Sequence, residues 1–175
     1  MNARGYADSL VLKDGTPVTI RAVRPDDRER FLQAYRLLEK DSIYTRFFSQ
    51  RGEPSSAEID RAVNVDFVRE VALVATTGTV RGETIIATGR YIVTGERSAE
   101  VAFVVEEDYQ GRGIASRVLA ALASLARAQG LARFEADVLG QNSAMLAVFR
   151  RCGLPLQQRR EGGVIHLSLD LAAVS

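Results

Sequence analysis

The fold of this chain is decided by one stretch near its middle, Glu107-Asp108-Tyr109-Gln110-Gly111-Arg112-Gly113-Ile114-Ala115-Ser116. An apolar strand predicted over Glu100–Val105 precedes it, and a helix predicted over Gly113–Gly130 follows it. Its two glycines let the backbone turn sharply and let a ligand approach closely. The free N–H groups of the first helical turn and the helix dipole then form a site for an anion such as a pyrophosphate. Arg112 adds positive charge at this site.

Other interpretations of the loop are a strand-to-helix turn without a ligand or a different phosphate motif. A P-loop requires Gly-Lys followed by Ser or Thr, and the sequence has no such tripeptide. The Rossmann pattern G-x-G-x-x-G is met by Gly111 and Gly113, but Ser116 stands in the third position. Glu135 lies at the spacing of a ribose contact. Because only one βαβ unit is visible, dinucleotide binding is kept as the weaker alternative.

The elements around the loop predict the rest of the fold. Asp14-Gly15 between two apolar runs predicts a hairpin, and Pro25 starts a helix that Asp26 can cap, with Glu29 three residues on. A second helix is predicted over Pro54–Val63. Further predicted elements are the strands Ser9–Leu12, Val18–Val23, Val71–Thr76, Thr84–Val93, Phe134–Leu139 and Val164–Leu171 and the helix Asn142–Cys152.

Short connections favour antiparallel pairing of the early strands, whereas the helix after Val105 makes the strands Glu100–Val105 and Phe134–Leu139 parallel. The predicted fold class is therefore α+β (mixed α/β), a mixed and mostly antiparallel sheet with helices on both faces. A length of 175 residues fits one domain, expected over residues 1–175.

Composition excludes several classes of protein. Lys and Arg number 23 and Asp and Glu 22, so no bulk charge indicates a nucleic acid or a membrane surface as partner. No apolar run reaches the length of a membrane span. One His and one Cys leave no zinc site of the usual ligand type, and no metal is expected. The single Cys152 forms no internal disulfide, which agrees with a cytoplasmic location.

The loop and a downstream segment together resemble a known family. Gln110-x-x-Gly113-x-Ala115 matches the Q/R-x-x-G-x-G/A signature of the GNAT N-acetyltransferases, and Asn142, Ala144, Phe149 and Gly153-Leu154 resemble the family's N-x-A-x-x-x-Y-x-x-x-G-F segment. Several shorter stretches of the sequence resemble the acetyltransferase domain of bacterial protein lysine acetyltransferases. The stretches that carry them are Asp14–Arg21, Arg46-Phe47-Phe48, Ala99–Phe103 and Ser143–Leu146.

The resemblance implies a GNAT-like fold, acetyl-CoA as cosubstrate, and direct attack of an amine on the thioester. It implies that backbone groups of Phe103, Val104 and Val105 hold the pantetheine arm, and that the strand from Phe134 splays away to admit it. It also implies that the loop and the start of the helix bind the cofactor phosphates, through Gln110, Gly111, Arg112, Gly113, Ile114, Ala115 and Ser116. Asn142 contacts the cofactor, caps its helix, or does both.

Glu100 is the candidate general base. It shares a strand face with Ala102 and Val104, and a carboxylate beside apolar groups holds a proton more readily and so becomes a better base. The alternative is a solvent-facing residue at a strand start.

Phe149 departs from the family pattern, which has a tyrosine there as proton donor to the leaving thiolate. The thiolate then leaves without a donor, or a group such as Tyr109 or Ser143 supplies the proton. Cys152 is interpreted as a buried structural cysteine, and His166 as a strand residue. Arg46-Phe47-Phe48 is interpreted as core aromatics with a flanking charge in preference to part of an acceptor groove.

The function predicted is therefore N-acetyl transfer from acetyl-CoA to an amine of a protein lysine. A small-molecule amine acetyltransferase and a catalytically silent acyl-CoA-binding module are the alternatives, because fold does not fix function. The acceptor is a protein or a small molecule, and a homodimer is left open.

Overall fold

The computed structural model describes residues 3–39, 55–78 and 82–172. In these ranges the strands are Ala7–Val11 (β1), Pro17–Ala22 (β2), Glu70–Thr77 (β3), Thr84–Val93 (β4), Ser98–Val105 (β5), Arg133–Leu139 (β6), Leu156–Glu161 (β7) and Val164–Asp170 (β8). The helices are Arg28–Glu39 (α1), Ser56–Val63 (α2), Ile114–Ala128 (α3) and Ser143–Arg150 (α4). The strands form a single sheet in the order β1-β2-β3-β4-β5-β6-β8-β7.

The pairing of these strands confirms the predicted mixed sheet. Strands β1 to β5 pair antiparallel with their neighbours in sequence. The β1–β2 hairpin closes around Gly15, whose φ of 92° requires the left-handed region that glycine enters without strain. Strand β6 joins β5 in parallel after the α3 crossover, as a βαβ connection demands. β8 then adds antiparallel to β6.

Helix α3 covers one face of the sheet. Its residues Ile114, Val118, Leu122 and Leu125 share one helical face by their spacing and form a buried stripe, each being 3% exposed or less. The helix lies so close to β4 that a Cβ on Gly89 would stand 2.5 Å from a Val118 methyl group. Glycine at this position therefore sets the distance between the helix and the sheet that carries the loop.

Helices α1 and α2 cover the other face, so helices flank the sheet on both sides as predicted. Ala34 and Val63 pack there with sheet residues such as Val74 and Ile85. The predicted cap of α1 is wrong. A short 3₁₀ turn over Pro25–Asp27 precedes the helix, and the Asp27 carboxylate, in place of Asp26, accepts a hydrogen bond from the Arg24 amide at 2.8 Å.

Asp27 also belongs to a group of charges that we call the arginine–carboxylate cluster, made of Arg21, Arg24, Asp27, Arg30 and Glu83. Arg21 binds Asp27 through two hydrogen bonds of 2.7 and 2.9 Å and reaches Glu83 at 3.1 Å. Arg21 is 7% exposed and Asp27 is fully buried. Every carboxylate of this cluster therefore faces guanidinium groups.

Near its C-terminal end the structure differs from the sequence prediction in two elements. The segment Leu156–Glu161 forms β7, an edge strand that the sequence analysis missed, and α4 ends at Arg150, two residues earlier than predicted. The segment Arg46-Phe47-Phe48, interpreted from the sequence as core aromatics, lies outside the described residues.

Candidate active site

The loop after β5 has the geometry that its glycines predict. Gly111 and Gly113 have φ values of 75° and 86°, and Gly113 is the N-cap residue of α3. The first helical hydrogen bond runs from the Arg117 amide to the Gly113 carbonyl at 3.2 Å. The amides of Ile114, Ala115 and Ser116 precede it, and the first turn contains no acidic residue. These amides are the partial positive charges that an anion would meet.

Two side chains hold this loop against its surroundings. The Gln110 amide nitrogen donates to the Val105 carbonyl at 3.1 Å, which ties the loop to the end of β5. Arg112 binds the Asp14 carboxylate of the β1–β2 hairpin at 2.9 Å and lies over the Tyr109 ring, 5.4 Å from its centroid. Both contacts link the loop to neighbouring elements.

The loop opens into a cavity of about 440 Å³ between the start of α3 and helix α4, which we call the main hollow. Seven of the predicted cofactor residues line it: Val105, Gln110, Gly111, Gly113, Ile114, Ala115 and Ser116. Among the residues that the structure describes, no Asp or Glu is part of its lining. The described part of the main hollow is therefore a recess with amide donors at one end and without a carboxylate.

The other predicted cofactor residues lie beside this recess. Phe103 and Phe149 are buried and pack against each other, with ring centroids 5.7 Å apart. Asn142 caps α4 by accepting a hydrogen bond from the Met145 amide at 3.2 Å, so its capping role is observed. Val104 is half-buried on the opposite face of β5, and the Arg112 side chain is engaged by Asp14.

The expected gap between β5 and β6 is present. Their parallel pairing covers only three pairs and ends where Glu100 faces Glu135. Beyond this point β5 continues to Val105 and β6 to Leu139 without pairing to each other. The backbone groups of β5 from Val101 onward on this side are thus open to a ligand that enters between the strands.

Glu100 stands at the point where the gap begins. As predicted, it shares a face with Ala102 and Val104, and across the sheet it has Ile92 on β4 and Glu135 on β6. Its side chain is exposed, so the apolar surroundings expected from the sequence are only partly present. An exposed carboxylate at the end of a ladder is accessible to an approaching amine.

The alternative proton donors differ in position. Tyr109 lines the main hollow, whereas Ser143 is exposed at the start of α4 and is not part of the lining. Phe149 is 1% exposed and brings no hydroxyl group. Cys152 is half-buried at the edge of the core, which is less buried than expected.

His166 is a residue of β8, as expected from the sequence. Its Nδ1 meets the Asp137 carboxylate and its Nε2 lies 3.2 Å from Glu161. Both partners stand on neighbouring strands of the exposed sheet face. Within the described ranges, no group of three or more His, Cys, Asp or Glu residues is arranged to hold a metal ion.

Sequence reasoning missed the contribution of α4 to the main hollow. Ala144, Met145, Val148 and Arg151 line it, and Met145 packs against the core as well. Ala144, Val148 and Arg151 are spaced by four and three residues and so lie on one helical face, with Met145 beside them. That periodicity was the available signal, but it is hidden by the buried pair Leu146 and Phe149 on the adjoining face.

A strand-to-helix loop with open amides, a carboxylate-free recess and a gap in the sheet together define an acyl-CoA type of site. Comparison with known proteins agrees, because residues 33–154 match the model of the acetyltransferase (GNAT) family. The chain therefore belongs to this family, and the predicted family and fold are confirmed. Acetyl-CoA-dependent acyl transfer is the activity of the family.

Three relatives illustrate the likeness. The chain is 36% identical over 157 residues to the acetyltransferase Pat of Mycolicibacterium smegmatis, covering 89% of this chain but 46% of that protein. The crystal structure of the GNAT domain of S. lividans PAT has a TM-score of 0.83 at 36% identity and covers 94% of this chain and 96% of that one. A Salmonella typhimurium structure with its cofactor acetyl-CoA has a TM-score of 0.72 at 16% identity, covers 90% and 96%, and shows the same fold.

The chain thus spans less than half the length of its mycobacterial relative. Within the described residues, the helices lack the length and apolar character needed to cross a membrane.

Proposed function

We propose that this chain transfers the acetyl group of acetyl-CoA to the side-chain amine of a protein lysine, with Glu100 as general base. The observation that carries the proposal is the placement of Glu100 at the last paired position before β5 and β6 separate. The loop with its open amides lies at the other end of the unpaired part of β5, roughly 16 Å along the strand. An extended pantetheine arm fits between these two points.

The phosphate end of the cofactor is bound by the α3 N-terminus. The amides of Ile114, Ala115 and Ser116 donate to the pyrophosphate, and the helix dipole favours its negative charge. Gly111 and Gly113 have no side chain that could obstruct this approach. A Cβ at either position would meet no protein atom within 4 Å and would therefore stand in open space. The pantetheine amides pair with the free backbone groups of β5 near Phe103 and Val105, in place of the missing β6 partner.

The reaction needs a neutral amine. A lysine amine with a pKa of about 10.4 is protonated at neutral pH, and Glu100 accepts its proton directly or through one water molecule. The amine nitrogen then attacks the thioester carbonyl carbon, the C–S bond breaks and the CoA thiolate leaves. The attacking nitrogen loses its second proton to water, so that the product is a neutral amide. Because Phe149 has no proton to give, the thiolate leaves with stabilisation from nearby backbone N–H groups.

The protein acceptor is supported by similarity to Pat and to the PAT domain. The experiment is incubation of the chain with acetyl-CoA and a panel of folded proteins and small amines, followed by mass spectrometry. Acetylated lysine in a folded protein supports the proposal. Modification of free amines alone moves the chain to the small-molecule class, and acetyl-CoA binding without CoA release for any amine makes it a silent binding module.

The cytoplasm is the proposed location of this reaction. The only cysteine of the sequence, Cys152, forms no internal disulfide, which suits a reducing compartment.

The role of Glu100 is tested with Glu100→Gln. This change keeps the shape of the side chain but removes the proton acceptor, so kcat should fall roughly 100- to 10,000-fold while the Kd for acetyl-CoA stays unchanged.

Glu135→Gln is the matched control, because Glu135 faces Glu100 across the same strand pair and is equally exposed to solvent. We expect it to keep both the turnover and the affinity for acetyl-CoA. Should Glu135→Gln lose turnover while Glu100→Gln retains it, the base has been assigned to the wrong strand.

A further inference from the structure

A further cavity, of about 280 Å³, lies between helix α2 and the strands β3 and β4. We call it the α2 groove. The helix and the two strands each contribute half of its lining, which consists of Glu58, Arg61, Ala62, Glu70, Arg90 and Ile92. None of these residues lines the main hollow. The α2 groove is therefore separate from the cavity beside the loop and lies on the opposite face of the sheet.

The α2 groove ends beside the proposed base. Ile92 on β4 is the direct neighbour of Glu100 on β5 and of Glu70 on β3, so the three side chains stand in one row on the same face of the sheet. Neighbouring strands are about 5 Å apart, and Ile92 is thus one strand away from Glu100. A polypeptide segment in the groove can therefore present a lysine amine to this carboxylate.

Ile92 offers apolar surface at this end of the groove. It is 45% exposed although it is a large apolar residue of a strand. Ala102, which follows Glu100 on the same face of β5, is exposed as well. The four methylene groups of a lysine side chain gain free energy when they lie on apolar surface while the amine stays in a polar environment. Ile92 is therefore placed to contact the stem of a lysine whose amine reaches Glu100.

The charged residues of the α2 groove differ in their partners. The Glu70 carboxylate accepts a hydrogen bond from Arg90 at 2.6 Å, and the Glu58 carboxylate accepts one from the Ser55 amide at 3.3 Å in the capping box of α2. Among the residues that the structure describes, by contrast, no ion pair or side-chain hydrogen bond involves Arg61. Its guanidinium group is exposed in the groove and is available to the carboxylate of a ligand.

From these observations we infer that the α2 groove binds the segment of the acceptor protein around the modified lysine, with the lysine stem on Ile92 and a neighbouring carboxylate on Arg61. This inference rests on the proposed function and names its substrate class, which is lysine with Asp or Glu two residues away. In an extended segment, residues two positions apart point to the same side and are separated by about 7 Å. Both side chains can therefore enter one groove.

The test measures kcat and KM for short peptides with blocked ends and a single lysine. The peptides differ only in having Glu, Gln or Arg two residues before or after the lysine. Wild-type protein should prefer Glu to Gln by roughly two- to fivefold in KM, the range of an exposed ion pair, and should use the Arg peptides least. The preference should weaken with added salt and disappear in Arg61→Gln.

Arg69→Gln is the matched control for this variant. Arg69 is also exposed and directly precedes Glu70, but it does not line the α2 groove, so its loss should leave the preference unchanged. Arg61→Lys keeps the positive charge and should keep part of the preference. Because Arg61 lies in the last turn of α2, where a cation favours the helix dipole, the melting temperature of each variant is measured.

The contact with the lysine stem is tested with Ile92→Ser. This change should raise KM for every peptide by roughly three- to tenfold, since apolar contact area is lost, while the preference for Glu and the Kd for acetyl-CoA stay unchanged. Val11→Ser is its control, because Val11 is 70% exposed but lies on β1 at the edge of the sheet. An unchanged KM in Ile92→Ser overturns this placement of the lysine.

The remaining outcomes separate this inference from the proposed function. Equal use of the Glu and Gln peptides by wild type, the reverse order, or a preference that survives Arg61→Gln overturns the inference and leaves the proposed function in place. A wild type that acetylates folded proteins but no peptide does the same. Acetylation of free small amines alone, or transfer to no amine, overturns both. The comparison of peptides on wild type holds even where a variant fails to fold.

Discussion

Two regions of this molecule use arginine in opposite ways. In the arginine–carboxylate cluster, Arg21, Arg24 and Arg30 surround Asp27 and Glu83, and each carboxylate is bound by several donors. In the two cavities beside α3, which share Ser116 and Arg151, Arg127 and Arg151 lie on a surface to which no described Asp or Glu contributes. Arginine neutralised inside the protein fixes the fold, whereas arginine left without a counter-charge is available to an anionic ligand.

This contrast predicts that changes in the two regions affect different measured quantities. Arginine and carboxylate variants of the cluster should change the free energy of unfolding and leave cofactor affinity alone, and arginine variants of the two cavities should do the reverse. Each experiment below measures both quantities.

The largest effect on stability is expected from Asp27→Ala. Asp27 is fully buried and takes two hydrogen bonds from Arg21, one from Arg30 and one from the Arg24 amide. Its removal leaves Arg21 buried with only part of its counter-charge. Breaking a buried pair in this way costs about 3–5 kcal/mol, which urea unfolding would measure.

Asp60→Ala is the control for this prediction. Asp60 binds Arg28 at 2.8 Å, but the side chains are 56% and 34% exposed, and pairs that water reaches in this way contribute about 0–1 kcal/mol. Equal losses in the two variants would contradict the distinction between buried and exposed pairs.

The same cluster predicts a dependence of stability on pH. Burial favours protonation of Asp27 and Glu83, but hydrogen bonds from Arg21 outweigh it and lower the pKa of both carboxyl groups. Because their folded pKa values lie below those of the unfolded chain, their contribution is complete above about pH 5 and is lost as the pH falls below about 4. Wild-type stability should drop in this range, and Asp27→Asn should be less stable at neutral pH with a shallower drop. A parallel curve for the variant would count against this origin.

The next effect concerns the loop and should appear in cofactor affinity. Gly113→Asp places a negative charge and a left-handed non-glycine residue at the α3 N-terminus. Acetyl-CoA should then bind at least about 100-fold more weakly, since like charges in one site cost several kcal/mol.

Backbone strain is separated from the effect on binding by Gly130→Asp. Gly130 has a similar φ of 90° and equal space around it, but lies at the far end of α3. It should lose stability by about 1–2 kcal/mol for the left-handed conformation and keep its affinity for acetyl-CoA. Equal affinity loss in the two variants would show that the loop has no special role.

How far the sequence predicts this structure depends on the type of signal. The loop, the α3 stripe and the β5–β6 crossover were predictable, because glycine spacing and helical periodicity are local properties. Strand β7 was missed, since Leu-Gln-Gln-Arg-Arg-Glu has no apolar alternation and pairs only with β8 at the sheet edge. Its strand conformation comes from that pairing and not from its composition.

The site was predictable in its main chain more than in its side chains. The amides of α3 follow from the helix start, but the Arg112–Asp14 contact joins residues far apart in sequence. The same holds for Arg151, whose place between two cavities depends on how α4 packs. Contacts between elements that are distant in sequence therefore decide which arginines have a carboxylate partner.

The smallest expected effect concerns an arginine of the loop before α3 that already pairs with a carboxylate. Arg112 adjoins the main hollow, yet Asp14 binds it at 2.9 Å and both side chains are about half exposed. Its charge is thus partly used inside the protein, so Arg112→Ala should weaken acetyl-CoA binding less than Arg151→Ala. Asp14→Asn releases Arg112 and should strengthen binding roughly two- to fivefold, the range of a surface ion pair. The gain should shrink with added salt and disappear in the Asp14→Asn, Arg112→Ala double variant. If Asp14→Asn instead weakens binding, the carboxylate positions Arg112 for the phosphates, and paired arginines too would belong to the ligand site.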